Sequence, residues 1–395
     1  MLDILEETKY CLQCKVKPCS IKGCPLGNNI PEFIRLAKEE KYEEAYEVIS
    51  TTSVLPGICG QICPHENQCQ GSCVRGMRGK PVNIGEIEHF IFKQVVKSGT
   101  QLKQSTNLNT TKYVNKKVAV IGSGPAGLTA AAFLAREGIK VTIFEKYNYL
   151  GGILMHGIPK FRLSKNIVDE TIKRILNLGV EVQYGKELGK NLNLDELDFD
   201  AVFLAIGANV SSMMNIEGEN IEGVYGGNEL LEYNLHPDYT GKTVIVNGGG
   251  NVAIDCARTV KRLGAKNVFV TYRRSEVEMK ADKKEVEDAR QEGIEFMFLN
   301  NIVRILKENE KLSKVELIKT ELIEKEGNKR LVPINIEGSN FVIEADYVIM
   351  ALGSKTDEIV KSLGVELNEF GCIKINENYE TSRKNIFAGR RFSRK

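Results

Sequence analysis

The chain has 395 residues, with 54 Lys+Arg against 52 Asp+Glu and a formal net charge of +2. A hydrophobic content of 42% beside 27% charged residues excludes whole-chain disorder, and the length suggests two or three domains. Balanced charge with a pI near 7.9 leaves no overall electrostatic footprint for nucleic acid or an anionic membrane. The N-terminus, Met1 to Glu7, is acidic and lacks the apolar core of a signal peptide, so a cytosolic protein is expected. Val118 to Ala135 runs 18 residues without a charge, but Gly122-Ser123-Gly124-Pro125 would break a spanning helix in its middle.

Eight of the ten cysteines fall between positions 11 and 73, as Cys11-x2-Cys14-x4-Cys19-x4-Cys24-Pro25 and Cys59-x3-Cys63-Pro64-x4-Cys69-x3-Cys73. A secreted disulfide framework needs an export signal and usually a short chain. Structural zinc usually shows two short C-x2-C pairs flanking a longer loop. Four thiols within 14 residues, with Pro after a Cys twice, fit ferredoxin-type iron–sulfur ligation better, and zinc and disulfides stand as the alternatives.

Around these cysteines the pattern is helical. Pro31 opens one helix with Phe33, Ile34 and Ala37 on a face; Tyr42, Ala45, Tyr46 and Ile49 mark a second; a third runs from about Gly85 to Val96 with Ile87, Phe90, Ile91 and Val95 as its stripe. Residues 101–111 are polar and aperiodic, which predicts a linker. From Lys116 onward buried strands alternate with helices, the sign of α/β architecture.

Two nucleotide-binding turns follow. The first, Lys117-Val-Ala-Val-Ile121-Gly122-x-Gly124-x-x-Gly127, allows a tight strand-to-helix turn and close approach of a pyrophosphate to the helix N-terminus. The next strand ends at Glu145, 18 residues after Gly127, where a carboxylate can accept from ribose hydroxyls. The second turn, Thr243 to Ala253 with Gly248-Gly249-Gly250-Asn251-Val252, is followed by a strand that ends in Arg273-Arg274 instead of an acid. Two guanidinium groups there suit the 2′-phosphate of NADP; the bland alternative is a surface pair meeting Glu276 and Glu278.

Two dinucleotide sites beside metal clusters describe an electron-transfer flavoenzyme, with FAD on one turn and NADPH on the other. Cys11 to Cys24, Leu55-Pro-Gly-Ile-Cys59-Gly-Gln-Ile-Cys63-Pro64, Gly122 to Gly127, Gly151 to Leu163, Gly248 to Asp255 and Tyr272-Arg-Arg-Ser275 together resemble the small-subunit family of NADPH-dependent glutamate synthase. Its wider relatives include the N-terminal half of dihydropyrimidine dehydrogenase and the large subunit of bifurcating NADH-dependent ferredoxin:NADP oxidoreductase.

That resemblance implies two Rossmann-like domains, one inserted in the other, behind an α-helical iron–sulfur domain. The implied segments are 1–100 for two [4Fe–4S] clusters, 101–115 as linker, 116–240 and 345–395 for FAD, and 241–344 for NADPH. One cluster would take Cys11, Cys14, Cys19 and Cys73; the other Cys24, Cys63 and Cys69 with Glu88, in the first turn of the third helix, leaving Cys59 a buried non-ligand. The spacing alone would divide the thiols four and four. The implied FAD contacts are Gly122, Gly124, Pro125, Ala126, Gly127 and Glu145, with Gly152 and Arg162 near the flavin ring; those for NADPH are Gly248, Gly250, Asn251, Val252, Ala253, Arg273 and Arg274, and Gly353 is a further cofactor contact. The strands of Asp200–Gly207 and Asp346–Gly353 would match at the borders of the insertion. His156 stands where many relatives carry Tyr, and none of the four histidines is assigned to catalysis.

The chain departs from the family after Asn385-Ile-Phe-Ala-Gly389. Relatives continue with a Gly-Asp pair and a closing helix, whereas Arg390-Arg-Phe-Ser-Arg-Lys395 follows here, which predicts a shortened product with weakened FAD binding; a solvated basic tail is the alternative. The function implied is passage of hydride from NADPH to FAD and of electrons through the clusters to a larger catalytic subunit, as in glutamate synthase. Ferredoxin:NADP oxidoreduction with a second flavoprotein, or a flavin-free iron–sulfur relay, are the competing readings; neither nucleic acid nor membrane is an expected partner.

Overall fold

The computed structural model describes residues 3–104, 113, 115–328 and 330–389. Most of the expected linker and the basic tail from Arg390 lie outside the described residues. The chain divides into two compact units, Met1–Gly207 with Glu358–Lys395, and Ala208–Asp357.

The first unit opens with α1 (Ile4–Tyr10), whose first N–H groups are capped by the Asp3 carboxylate. A single wide turn, Cys19–Gly23, is closed by the Cys24 N–H donating to Cys19 O at 2.8 Å. Helix α2 (Ile30–Lys38) carries Pro31 in its first turn and buries Phe33, Ile34 and Ala37. Helix α3 (Tyr42–Ser50) buries Ala45, Tyr46 and Ile49. Helix α4 (Pro56–Ile62) had no sequence signal: it is seven residues long and contains two glycines. Those glycines explain its packing. A Cβ at Gly57 would lie 2.4 Å from the Phe92 ring, and one at Gly60 2.7 Å from Gly85 O, so both let α4 settle on α5 (Ile84–Ser98). Helix α5 starts at the Asn83 cap and stops at Gly99.

The same unit then builds β1 (Lys117–Ile121), α6 (Pro125–Arg136), β2 (Lys140–Glu145), α7 (Lys165–Leu176), β3 (Glu181–Tyr184) and β4 (Ala201–Leu204). The last described strand, Ile386–Ala388, pairs with β4, giving a five-stranded parallel sheet in the order Ile386–Ala388, β4, β1, β2, β3. Helices and sheet share one core, in which Ile87, Ile91 and Phe92 join Leu128, Ile143 and Val168. Arg174 of α7 fastens this junction: it is buried, stacks over Phe92 at 5.4 Å and donates to Val95 O. Leu102, inside the expected linker, is buried in the same core.

The second unit repeats the plan. Strands Val224–Gly226, Tyr347–Met350, Thr243–Asn247, Asn267–Tyr272 and Glu295–Phe298 form another five-stranded parallel sheet in that order. The unit adds an antiparallel sheet of Asn300–Glu308, Lys311–Ile323, Val332–Asn335 and Phe341–Glu344. The duplication reaches individual side chains. Asp200 accepts from Lys117 N at 2.7 Å and pairs with Lys116, while Asp346 accepts from Thr243 N at 2.8 Å and pairs with Lys242. This corrects one expectation. Tyr347–Met350, assigned with 345–395 to the flavin half, belongs to the second sheet, because it pairs in register with Thr243–Asn247 on one side and Val224–Gly226 on the other. The second unit accordingly begins at Ala208 instead of near Gly241. Among the described residues no helix is long and apolar enough to cross a membrane; Val118 to Ala135 is β1, a glycine turn and most of α6.

Candidate functional site

The first glycine turn joins β1 to α6. Gly122 has φ +98°, and a Cβ there would stand 2.6 Å from Ala205 O, so the turn crosses the end of β4 at backbone contact. At Gly127 a Cβ would strike Gly122 O at 2.0 Å. Gly124 is different: nothing lies within 4 Å of its Cβ position. The cradle therefore faces open space at the N-terminus of α6, beside Pro125 and the exposed Ala126, which suits a pyrophosphate. Gly152 leans on the cradle, its Cβ position being 2.9 Å from Gly124 Cα.

Glu145 ends β2 and is buried. One carboxylate oxygen accepts from Ser123 N at 2.9 Å and from the Ser123 hydroxyl; the other accepts from Tyr147 N at 3.0 Å. Three of about four acceptor positions are filled, leaving room for one ribose hydroxyl. Ser123, fully buried, also accepts from Gly151 N at 3.1 Å, so it ties the acid and the following loop to the turn. Sequence reading missed Ser123, since only the strand register brings the middle residue of Gly-x-Gly under Glu145. Arg162 is half-buried, and its N–H donates to Pro159 O. His156 stands edge-on to the stacked rings of Tyr147 and Tyr149, at 5.3 and 6.2 Å.

The second turn copies the first. A Cβ at Gly248 would be 2.2 Å from Ala351 O, Ala253 is fully buried, and Gly250 has open space in front of it. The half-buried Val252 lies in the first turn of the helix Asn251–Arg262. Asn251 spends its side-chain oxygen on Asp282 N at 2.8 Å. Where the first turn has Glu145, this one has the buried Tyr272, whose ring lies 2.4 Å from the Gly249 Cβ position and whose hydroxyl donates to Glu278 O. Arg273 follows it, exposed and without a side-chain partner among the described residues. Arg274 donates to Leu331 O at 3.1 Å. The surface pairing with Glu276 and Glu278 does not form: Glu276 pairs with Arg290, and Glu278 accepts from Ser275. Gly353 lies in this unit, its carbonyl accepting from Ser212 N at 2.9 Å.

All ten cysteines are free thiols. Cys11, Cys14, Cys19 and Cys73 line a single cavity with Leu12, Val74 and Arg75. Burial pushes the Cys11 thiol up, and that of Cys19 to about 11, with neighbouring Cys73 adding to both. The four surround a volume and do not converge on a point: among the described residues no three His, Cys, Asp or Glu side chains are placed to hold a single ion. A nest of thiols around a cavity fits a cluster, whose assembly would expel the thiol protons.

The second set is only partly assembled. A Cβ at Gly23 would touch Cys69 Cα at 2.7 Å, which places the turn before Cys24 directly against Cys69. Burial raises the Cys69 thiol to about 12, with Glu88 the next cause and Cys24 after it. Glu88 sits in the second turn of α5 instead of the first, since the helix begins at Ile84. It is 8% exposed, and its carboxyl takes no hydrogen bond or ion pair among the described residues. Burial drives its pKa well up, with Cys59 second. An unpaired buried carboxyl beside thiols fits a missing ligand. Cys63 caps α4, its N–H donating to Cys59 O at 3.1 Å, and the Cys59 thiol contacts the Ser53 hydroxyl at 3.8 Å.

Residues 116–389 match the family described as pyridine nucleotide-disulphide oxidoreductase, and residues 2–100 match dihydropyrimidine dehydrogenase domain II, 4Fe-4S cluster. The small chain of glutamate synthase [NADPH] from Escherichia coli is 36% identical over 96% of this chain and 84% of its own length. The beta subunit of the NADP(+)-dependent formate dehydrogenase of Moorella thermoacetica is 36% identical over 94% of this chain and 56% of its own length. FprA of Mycobacterium tuberculosis, solved with NADPH, shares the fold at a TM-score of 0.61 and 19% identity, over 69% of this chain and 78% of that one. With its two glycine cradles and its thiol-lined cavity, the chain belongs to the glutamate synthase [NADPH] small-chain family and is an NAD(P)H-dependent iron–sulfur flavoprotein oxidoreductase.

Proposed function

We propose that this chain is the NADPH-oxidising subunit of a larger cytosolic enzyme, holding NADPH on the Gly248 turn, FAD on the Gly122 turn and two [4Fe–4S] clusters on the N-terminal thiols and Glu88. When bound, the flavin would take up electrons in pairs and the clusters would release them singly. The observation that carries this reading is the pair of open cradles, Gly124 and Gly250, each at a helix N-terminus in its own parallel sheet. The α6 N–H groups hold one pyrophosphate, Glu145 and Ser123 orient its ribose, and Arg273 meets a 2′-phosphate. Substrate chemistry belongs to a larger partner subunit, because the relatives matched over more than four-fifths of their length are small chains of glutamate synthase.

The test is the visible spectrum of anaerobically purified protein before and after NADPH. Flavin bands that bleach are expected. Broad cluster absorbance without flavin, unmoved by NADPH, would overturn the reading in favour of a simple iron–sulfur relay. Cofactor choice has its own readout. Arg273→Ala is expected to lower the ratio of kcat/KM for NADPH over NADH roughly tenfold or more, the worth of one charge-assisted hydrogen bond. An unchanged ratio would remove Arg273 from the site.

A further inference from the structure

The cavity shared by Cys11, Cys14, Cys19 and Cys73 has an apolar wall with a single exception. Apart from the four thiols, its lining consists of Leu, Ile, Val and Pro side chains, among them Ile30, Ile34, Val82 and Ile84, and of Arg75. Arg75 is therefore the one charged residue among the described residues that line it. A charge beside such a wall is weakly screened, because few polar groups are at hand to oppose its field.

Arg75 is fastened to both chain segments that bring thiols to this cavity. It follows Cys73 by two residues, in the turn Val74–Met77, where Gly76 N donates to Cys73 O at 2.9 Å. Its Nε–H donates to Tyr10 O at 2.9 Å, next to Cys11, and its guanidinium stacks on the Tyr10 ring at 4.2 Å. The Tyr10 hydroxyl donates in turn to Lys80 O at 3.0 Å, which holds the ring in place. No carboxylate neutralises this cation among the described residues. Residues 11–31 and 67–85 contain no acid, and in α1 Glu6 pairs with Lys9 while Glu7 accepts from Asn83 N. The charge reaches the thiols: burial pushes the Cys11 thiol up, and Arg75 pulls against it.

We propose that Arg75 sets the reduction potential of the cluster held by these four thiols, its fixed positive charge favouring the reduced form. The proposal rests on the reading that they hold a [4Fe–4S] cluster. Uptake of one electron, supplied by NADPH through the flavin, adds one negative charge and neither makes nor breaks a bond to a cysteine sulfur. A nearby cation therefore stabilises the reduced form more than the oxidised one. Arginine suits the task, since its guanidinium does not lose its proton and its charge is constant. The second set of thiols lies under the opposite influence: the charged side chain acting on Cys69 is Glu88, an acid. Removing Arg75 should move one cluster and spare the other.

The experiment is a reductive titration of anaerobically purified, full-length holoprotein with dithionite, followed by electron paramagnetic resonance at poised potentials. Wild type, Arg75→Gln and Arg75→Lys are compared, with iron content measured in each. In Arg75→Gln the reduced-to-oxidised ratio of one cluster signal at a given potential is expected to fall roughly tenfold, a midpoint about 59 mV lower. The other cluster signal and the flavin midpoint should stay in place. Arg75→Lys keeps the charge without the planar fork, so its midpoint should lie near the wild-type value. Unmoved midpoints in Arg75→Gln with iron retained overturn the proposal. Equal shifts in both variants overturn it as well, since packing instead of charge would then be the cause. So does loss of iron from both, which would make Arg75 a strap for the thiol loops. Wild-type protein with neither iron nor cluster signals would refute the cluster reading itself.

Discussion

Replacing Cys73 by serine is expected to remove roughly half of the bound iron, whereas Cys59→Ser leaves the iron content unchanged. By spacing alone Cys59, Cys63, Cys69 and Cys73 make one quartet. In the fold Cys73 leaves that group and lines the cavity of Cys11, Cys14 and Cys19, carried there by the contact of Arg75 with Tyr10. Cys59 sits instead on α4 against Cys63 and Glu88. Iron analysis with the visible spectrum reads both variants. Iron lost from Cys59→Ser but not from Glu88→Ala would transfer the fourth ligand position from Glu88 to Cys59. Four and four by sequence would instead predict the same loss for Cys59 as for Cys63.

The second large effect is at the flavin turn. Gly122→Ala is expected to destabilise the first unit by about 2–4 kcal/mol and to abolish flavin retention. Two penalties combine. An L-residue at φ +98° is strained, and its Cβ would be 2.6 Å from Ala205 O, a backbone atom at the end of β4. Neither β1 nor β4 can yield, because both are central in the parallel sheet. Gly124→Ala is the matched control: its Cβ points into open space, so stability should hold while flavin stoichiometry falls, the methyl group occupying the cradle. Thermal melting and the flavin-to-protein absorbance ratio separate the two. Equal melting temperatures for wild type and Gly122→Ala would show that the strand end relaxes more easily than the register suggests.

Periodicity made the long elements legible. The stripe of Phe33, Ile34 and Ala37 is buried in α2, and that of Ile87, Phe90, Ile91 and Val95 is buried in α5 except for the half-buried Phe90. Helices α1 and α4 escaped because seven residues hold too few repeats, and because the glycines of α4 exist for contact with α5 instead of for helix propensity. The duplicated turn was equally legible, since glycine spacing and the strand after it are local. Assigning Tyr347–Met350 to the flavin half failed for the opposite reason: two equally apolar four-residue strands, Ala201–Leu204 and Tyr347–Met350, can be told apart only by the neighbours they pair with.

What the sequence by itself determined was the chemistry: which thiols, glycines and guanidinium groups are present, at which spacings, and hence that nucleotides and iron–sulfur chemistry meet in one chain. These are properties of residue type and short-range order. The tertiary structure alone decided which thiols share a cavity, that Ser123 lies beneath Glu145, and that Tyr272 takes the acid's place in the second turn. The physical reason is that each of these depends on residues brought together by packing across tens of positions, where a net charge or a local motif carries no information about neighbours.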